Sequence, residues 1–570
     1  MAGDKHTTVE ADHETRDYDA IAHEATSTDE KSSEKNPVES VEAETAEYAS
    51  GFKLIAIVLA LLLTVFLFAL DMTIVATAIP KITDDFHSLG DVSWYGSVFF
   101  MTCAGFLAAW GKAFKYFPLK VAFLFSVVVF EVGSLICGVA LNSTTLIVGR
   151  AIAGVGAAGL SSGAYTIVGF AAPPAQRPLF TNIIGASYGI ASVVGPVIGG
   201  ALSDHTTWRW CFYINLPIGG VAAAIILLCF HAPKEAAPVE ATFTEKLLQL
   251  DPVGIALTMA GLISFILAFQ YGGQTHPWNG SVVIGLLVGS VLFALAFVAS
   301  NYFQSKNDRA IIPPRLVSDF KIWPLCLFTT FNAGVFFLII YLLPLYFQTT
   351  QGVSPTTSGV RNLPLIVPWL VASIIAASFV QSTGYVKPVL PFGAVLATVG
   401  TGLFYTLDVG TSTGKWVGYQ ILAGAGWGAS IQFPMIIAQS SVQPQDLSMI
   451  TATVLFFQTV GGAVLISAGQ GSLLAKTISE LPKNGVTINP SAVIAAGASG
   501  IREKFPADAV PGILKSYVSG LKVGFAMAIA CMGVAVLASV IGSWEKFGPK
   551  NLAASKNDEA STPNNTAVST

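Results

Sequence analysis

Fourteen stretches of about twenty predominantly apolar residues recur along this chain, and that length of helix is what crosses the hydrocarbon core of a bilayer. They lie at 54–79, 92–114, 119–141, 146–170, 180–202 and 212–230, then 252–271 and 282–300, then 323–347, 363–380, 389–407, 417–438, 451–474 and 518–543. Backbone polar groups in lipid must be satisfied within their own segment, so runs of this length are read as helices. Only 11% of the residues are charged, against about a quarter in soluble domains. An all-α integral membrane protein with a 6 + 2 + 6 arrangement is expected.

Charge divides the chain further. Residues 1–50 hold 14 Asp and Glu against 4 Lys and Arg, leaving 20 acidic and 26 basic residues in the remainder. A tail so acidic and so poor in apolar residues cannot bury enough surface to order itself. It carries no apolar leader, so the first span is expected to direct insertion. An even number of spans puts both termini on one side. The loops on that side carry Lys112, Lys115, Lys120, Arg177, Lys234, Lys246, Lys306, Arg309, Arg315, Lys321 and Lys387. The positive-inside rule therefore makes both ends cytoplasmic.

The expected organisation is a disordered acidic tail over 1–51, a six-helix bundle over 52–230 and a linker with two further spans over 231–321. A second six-helix bundle follows over 322–546, with a long extracellular loop at 475–517, and a disordered cytoplasmic tail ends the chain at 547–570. Asn279-Gly-Ser falls on the outer side and is the candidate glycosylation site. The six cysteines lie in or beside apolar runs without metal-ligand spacing and read as packing residues. Neither a Ser/His/Asp arrangement, nor a metal-ligand pattern among the seven histidines, nor a phosphate loop is present; the chain does not read as an enzyme.

A charge at the centre of a spanning helix costs about 2.5–3.5 kcal/mol, so embedded ionisable residues are functional candidates. Asp71 lies two-thirds of the way along the first run, either as a proton-exchanging carboxyl or as an interfacial acid near the outer mouth. Glu131, midway along the third run, faces either a functional interior or a polar seam. Arg150 enters the fourth run, where it either pairs with Asp71 or reaches back to the headgroups. In the fifth run Gly189, Gly195, Pro196, Gly199 and Gly200 remove bulk and one backbone donor. They suit either a close-packed hinge or plain helix packing.

The later spans hold no comparable acid or base. Their polar groups, Asn332, Tyr341, Gln348, Trp427, Gln432 and Gln458, with Gln439, Tyr346 and Trp369, suggest an aromatic cavity wall for a bulky, largely uncharged molecule.

These blocks together resemble the major facilitator superfamily, specifically its fourteen-span drug:proton antiporter branch in fungi. Residues 189–200 look like that branch's antiporter signature, 70–80 like its span-1 motif and 147–159 like its span-4 motif, and 208–217 and 346–364 are further family-like blocks. The resemblance implies two pseudo-symmetric bundles rocking about a central cavity. It implies export of a hydrophobic fungal metabolite, toxin or drug by a monomer, driven by the proton gradient without a cofactor or a nucleic-acid partner. The plasma membrane is the expected site, with vacuolar or vesicle membranes as alternatives. Asp71 would be the proton-linked carboxyl, Arg150 its partner, and the glycines and Pro196 a hinge that limits leak.

One motif departs from the family pattern. Its usual acid after span 2 is replaced by Lys115 in the run Gly111-Lys112-Ala-Phe-Lys115-Tyr-Phe-Pro-Leu-Lys120. Either the cytoplasmic gate closes differently, or these lysines serve topology alone. Two rival functions are import of an iron chelate by the same fold and a non-transporting sensor that signals through the tail.

Overall fold

The computed structural model describes residues 48–541, apart from 87–90, 175, 274 and 387. The two terminal tails expected to be disordered, and Lys387, lie largely or wholly outside the described residues. The first six spans are α1 (Gly51–Phe86), α2 (Val92–Tyr116), α3 (Leu119–Gly138), α4 (Ser143–Ala171), α5 (Arg177–His205) and the pair α6 (Trp210–Tyr213) and α7 (Asn215–Cys229). A short α8 (Phe243–Gln249) leads into the inserted spans α9 (Pro252–Tyr271) and α10 (Ser281–Ser305), and α11 (Pro314–Val317) closes the linker.

The second half comprises α12 (Trp323–Gln351), α13 (Pro355–Val360) with α14 (Leu363–Thr383), α15 (Val389–Phe404), α16 (Thr413–Gly428) with α17 (Phe433–Ser440), α18 (Leu447–Glu480), α19 (Pro490–Lys504) and α20 (Val510–Val540). Thirteen of the described helical segments are long and apolar enough to cross a membrane, and α15 is a shorter apolar helix. We call the end where α1 begins the near face and the opposite end the far face.

Helix pairing repeats between the halves. In the first, α1 packs on α5 and α7, α4 on α2 and α3; in the second, α12 packs on α18 and α20, α16 on α14 and α15. Glycines permit the closest approaches: an added Cβ at Gly133 or Gly156 would meet backbone of Ala153 or Phe130 across α3–α4. At Gly400 and Gly426 it would meet backbone of Ala423 and Ala397 across α15–α16. With little hydrophobic drive between helices in lipid, such contact depends on small residues.

The halves meet through α2 against α18 and through α5 against α13 and α14. The inserted α9 lies against both α2 and α18, its Met259 beside Gly105 and its Phe269 beside Gly471. By contrast α10 leaves Val288, Val291, Leu292, Leu295 and Val298 exposed, an apolar face suited to acyl chains.

The segment 475–517, expected as a long loop, is largely helical. The helix α18 runs on to Glu480, the chain turns at Pro482–Asn484, α19 follows and α20 starts at Val510. Val493 and Ile501 of α19 are fully buried, and Arg502 Nη2 donates to Thr350 O near the end of α12 at 2.8 Å. These contacts hold a helix where Gly, Pro and Ala content alone had suggested a loop.

Candidate functional site

Two spans bring opposite charges together in the first half. Asp71 of α1 and Arg150 of α4 form an ion pair whose side chains are 0% and 1% exposed. Arg150 is held inside the bundle: its Nε donates to Tyr95 O of α2 at 2.9 Å, and its guanidinium stacks 4.3 Å from the Phe99 ring centroid. Asp71 is equally buried in the protein. Asn215, the first residue of α7, donates through Nδ2 to Asp71 Oδ1 at 3.3 Å and to Ser134 Oγ of α3 at 3.1 Å. Five spans, α1, α2, α3, α4 and α7, thus converge on one cluster.

Glu131 lies one turn before Ser134 on α3, against the backbone of Gly219 on α7. Both its carboxyl oxygens are buried without a hydrogen-bond partner among the described residues. The structure therefore puts the two candidate acids in opposite settings: Asp71 is held by a cation and an amide, while Glu131 accepts no hydrogen bond.

In the fifth span the small residues face different neighbours. A Cβ at Gly195 would collide with Thr73 of α1, and one at Gly189 with Trp369 of α14. Thr73 Oγ1 also donates to Ala191 O at 3.2 Å. Gly199 O accepts a weak contact from Cys211 Sγ at 3.9 Å, and Gly200 lies at ordinary contact distance from Thr356. Pro196 stands inside α5 between them. One helix touches both halves through its missing side chains.

At the near face the replaced acid is supplied from the other half. Lys115 Nζ pairs with Asp446 Oδ1 at 3.0 Å, and Arg315 of α11 grips the same carboxylate through Nη1 at 2.5 Å and Nη2 at 2.8 Å. That bond from Asp446 raises the proton affinity of the Arg315 guanidinium above its ordinary value. The buried Lys112 Nζ donates to Gln249 Oε1 at 2.9 Å and to Asp308 O at 2.7 Å, tying α2 to the linker. Gly111 lets α2 press on α18, where a Cβ would lie 3.1 Å from Ser448 O and closer still to Ala452. Two of the lysines therefore do more than set topology, whereas Lys120 takes no part in this network among the described residues.

A central cavity of about 60 Å³ lies between the halves. The first half lines it with Phe68, Phe100, Ser161, Tyr165 and Tyr188, the second with Phe336, Phe337, Trp369, Gln432 and Gln458. None of the lining side chains is charged. Ligand pockets commonly span about 300–1,000 Å³, so this conformation must open to admit a bulky molecule. Tyr188 and Phe337 close it from opposite halves with ring centroids 5.3 Å apart.

Of the six cavity residues expected from sequence, Gln432 and Gln458 line this space and four do not. Asn332 turns into the second half and donates to Ser430 Oγ at 3.4 Å. Trp427 is fully buried against Phe336, 5.5 Å between centroids. Tyr341 and Gln348 lie one and three turns beyond Phe337 on α12, and Gln348 Nε2 donates to Ser358 Oγ at 3.0 Å. Helix periodicity marks a face, but not which partner covers it.

Sequence reading passed over Asn215, Ser134, Asp446 and the first-half aromatics. Asn215 sits inside the block 208–217 that carried the family resemblance, which was the signal available for it. Asn279 is exposed in the α9–α10 connection at the far face.

Such features define a multi-pass membrane carrier of two similar halves around a shared cavity. The Major Facilitator Superfamily profile matches residues 61–466, and the chain belongs to that superfamily. It is 49% identical to the MFS-type transporter grgE of a Penicillium species over 89% of this chain and 90% of that one. With the probable efflux pump gsfJ of Penicillium aethiopicum the identity is 51%, over 88% and 89%. The MFS-type efflux pump MFS1 of Arthroderma benhamiae shares 40%, over 91% and 96%.

Among solved structures, a bacterial homologue of the human lysosomal transporter Spinster, inward-facing and unoccupied, superposes with a TM-score of 0.54 at 16% identity, covering 86% of this chain and 98% of that one. The proton:xylose symporter XylE gives 0.53 at 13%, covering 84% and 95%. These likenesses concern the fold. Family membership makes the chain a membrane transporter of a small molecule rather than an enzyme.

Proposed function

We propose that this transporter exports a hydrophobic, uncharged small molecule in exchange for protons, by alternating access and as a monomer. The wholly buried Asp71–Arg150 pair carries the reading, because an ion pair removed from water persists only while both charges remain. A proton reaching Asp71 cancels one of them, frees Arg150 to Tyr95 O and the Phe99 ring, and loosens the junction of α1, α4 and α7. That change of partners is the differential interaction a gradient needs to bias a conformational equilibrium.

Export follows the relatives named efflux pumps, and an uncharged cargo follows the uncharged lining of the cavity. An anionic iron chelate would need cationic groups there. Fungal secondary metabolites, toxins and drugs fit the chemistry. The basic residues gathered at the near face favour the cytoplasmic side for that end and both termini. The plasma membrane fits such a pump.

The test is accumulation of candidate metabolites in cells with and without the protein, repeated with an uncoupler. Export that collapses on uncoupling supports the exchange. Export that survives it removes the proton from the scheme.

A further inference from the structure

The buried cluster in the first half contains one cation and two carboxyls. Arg150 satisfies Asp71, with help from Asn215, and makes no bond to Glu131 among the described residues. The Glu131 oxygens have no donor among the described residues, yet lie within electrostatic reach of Asp71. A second bare anion there would carry an uncompensated charge in low dielectric, the costly arrangement that a proton relieves.

The neighbouring elements supply no second cation among the described residues. Besides Asp71 from α1 and Arg150 from α4, α6 brings Cys211 and Tyr213, and α3 itself brings Cys137. From α2 comes Tyr95, whose hydroxyl donates to Ser143 Oγ at 3.0 Å. At this level α7 brings Asn215 and the Gly219 backbone, with no titratable side chain.

We infer that the cluster holds one exchangeable proton shared between two carboxyls, and that in this conformation it resides on Glu131 while Asp71 is the anion. This rests on the proton-exchange reading above and gives it a definite carrier. Movement of the proton from the Glu131 carboxyl to the Asp71 carboxylate leaves Glu131 as the anion and Asp71 neutral, with the net charge unchanged. Arg150 then loses its carboxylate partner in α1. The two carboxyls thus pass a single proton between them, one per cycle.

The experiment is infrared spectroscopy of the purified full-length protein in lipid at pH 7, reading the carbonyl stretch of protonated carboxyls, with no cargo required. An ordinary Glu, with a pKa of about 4.3, contributes no such band at that pH. The band is expected in the wild type, absent in Glu131→Gln and weakened in Asp71→Asn, where Glu131 is left as the cluster's one carboxyl opposite Arg150. A wild type without the band, or one whose band survives Glu131→Gln, overturns the assignment. Gln preserves size and neutrality, so loss of the band with unchanged thermal stability excludes misfolding. Gly219→Ala, which pushes on the carboxyl without removing it, should shift the pH at which the band titrates.

Uncoupler-sensitive export separates the two levels of the argument. If Asp71→Asn abolishes it and Glu131→Gln does not, the shared-proton scheme fails and proton exchange stands. If export never depended on the gradient, the function reading fails whatever the spectrum shows.

Discussion

The two halves share a helix-pairing plan but not a chemistry. In the first, α1, α3, α4 and α7 surround a charged cluster buried from the protein surface. In the second, the corresponding interior holds Trp369, Trp427, Phe336 and Tyr346 and no ionic pair of that depth among the described residues. On the proposed exchange mechanism this asymmetry divides the labour: the first half would respond to protons and the second would hold an apolar, aromatic wall. The cavity draws on both, through Tyr165 and Tyr188 on one side and Phe337 and Trp369 on the other.

The sharpest break in this comparison comes from removing one charge of the first half. Arg150→Ala or Asp71→Ala leaves its partner buried and unpaired, at a cost of about 3–5 kcal/mol. Transport should be abolished and the melting temperature should fall, measured by efflux and thermal denaturation; Asp71→Asn should lose transport with a smaller loss of stability. The matching change in the second half, Trp427→Phe, removes a ring nitrogen that has no partner among the described residues and should leave efflux within about twofold of wild type.

Next in size is the near-face latch. Asp446→Ala removes a carboxylate that binds Lys115 and Arg315, each charged hydrogen bond being worth about 1.5–3 kcal/mol at most. Efflux should drop severalfold, and the reversed pair Lys115→Asp with Asp446→Lys should recover part of it. Failure of both would reduce the latch to a passive contact.

A finer test addresses the wall. Trp369 lines the cavity with its Nε1 buried and unpartnered among the described residues, so Trp369→Phe should change the ranking of cargoes with carbonyl acceptors by about tenfold, one hydrogen bond's worth of affinity, while leaving uncoupler sensitivity intact. Asn279→Gln should have the smallest effect, removing a glycan-dependent mass shift without changing efflux.

Much of this was legible beforehand because hydrocarbon is a severe solvent. It made the fourteen apolar runs unmistakable and marked Asp71 and Arg150 as expensive, and the all-α superfamily fold follows from those runs and the motif blocks. Other features depend on contacts between residues far apart in the chain. Asp446 gains its role from Lys115, 331 positions away, and nothing local to it announces that. Asn332 and Trp427 were placed in the cavity because they are polar or aromatic, yet the turn of the helix delivers Phe336 and Phe337 instead. Within 475–517 the sequence allowed a short amphipathic piece but not the extent of α19, whose Arg502 is anchored on Thr350 of α12 far away in the chain.

The position of α9 has a mechanical consequence. Because Met259 rests on Gly105 of one half and Phe269 on Gly471 of the other, neither bundle can swing without sliding along this helix. On the proposed alternating-access motion α9, seated on one glycine of each half, would serve as a bearing surface rather than a spacer.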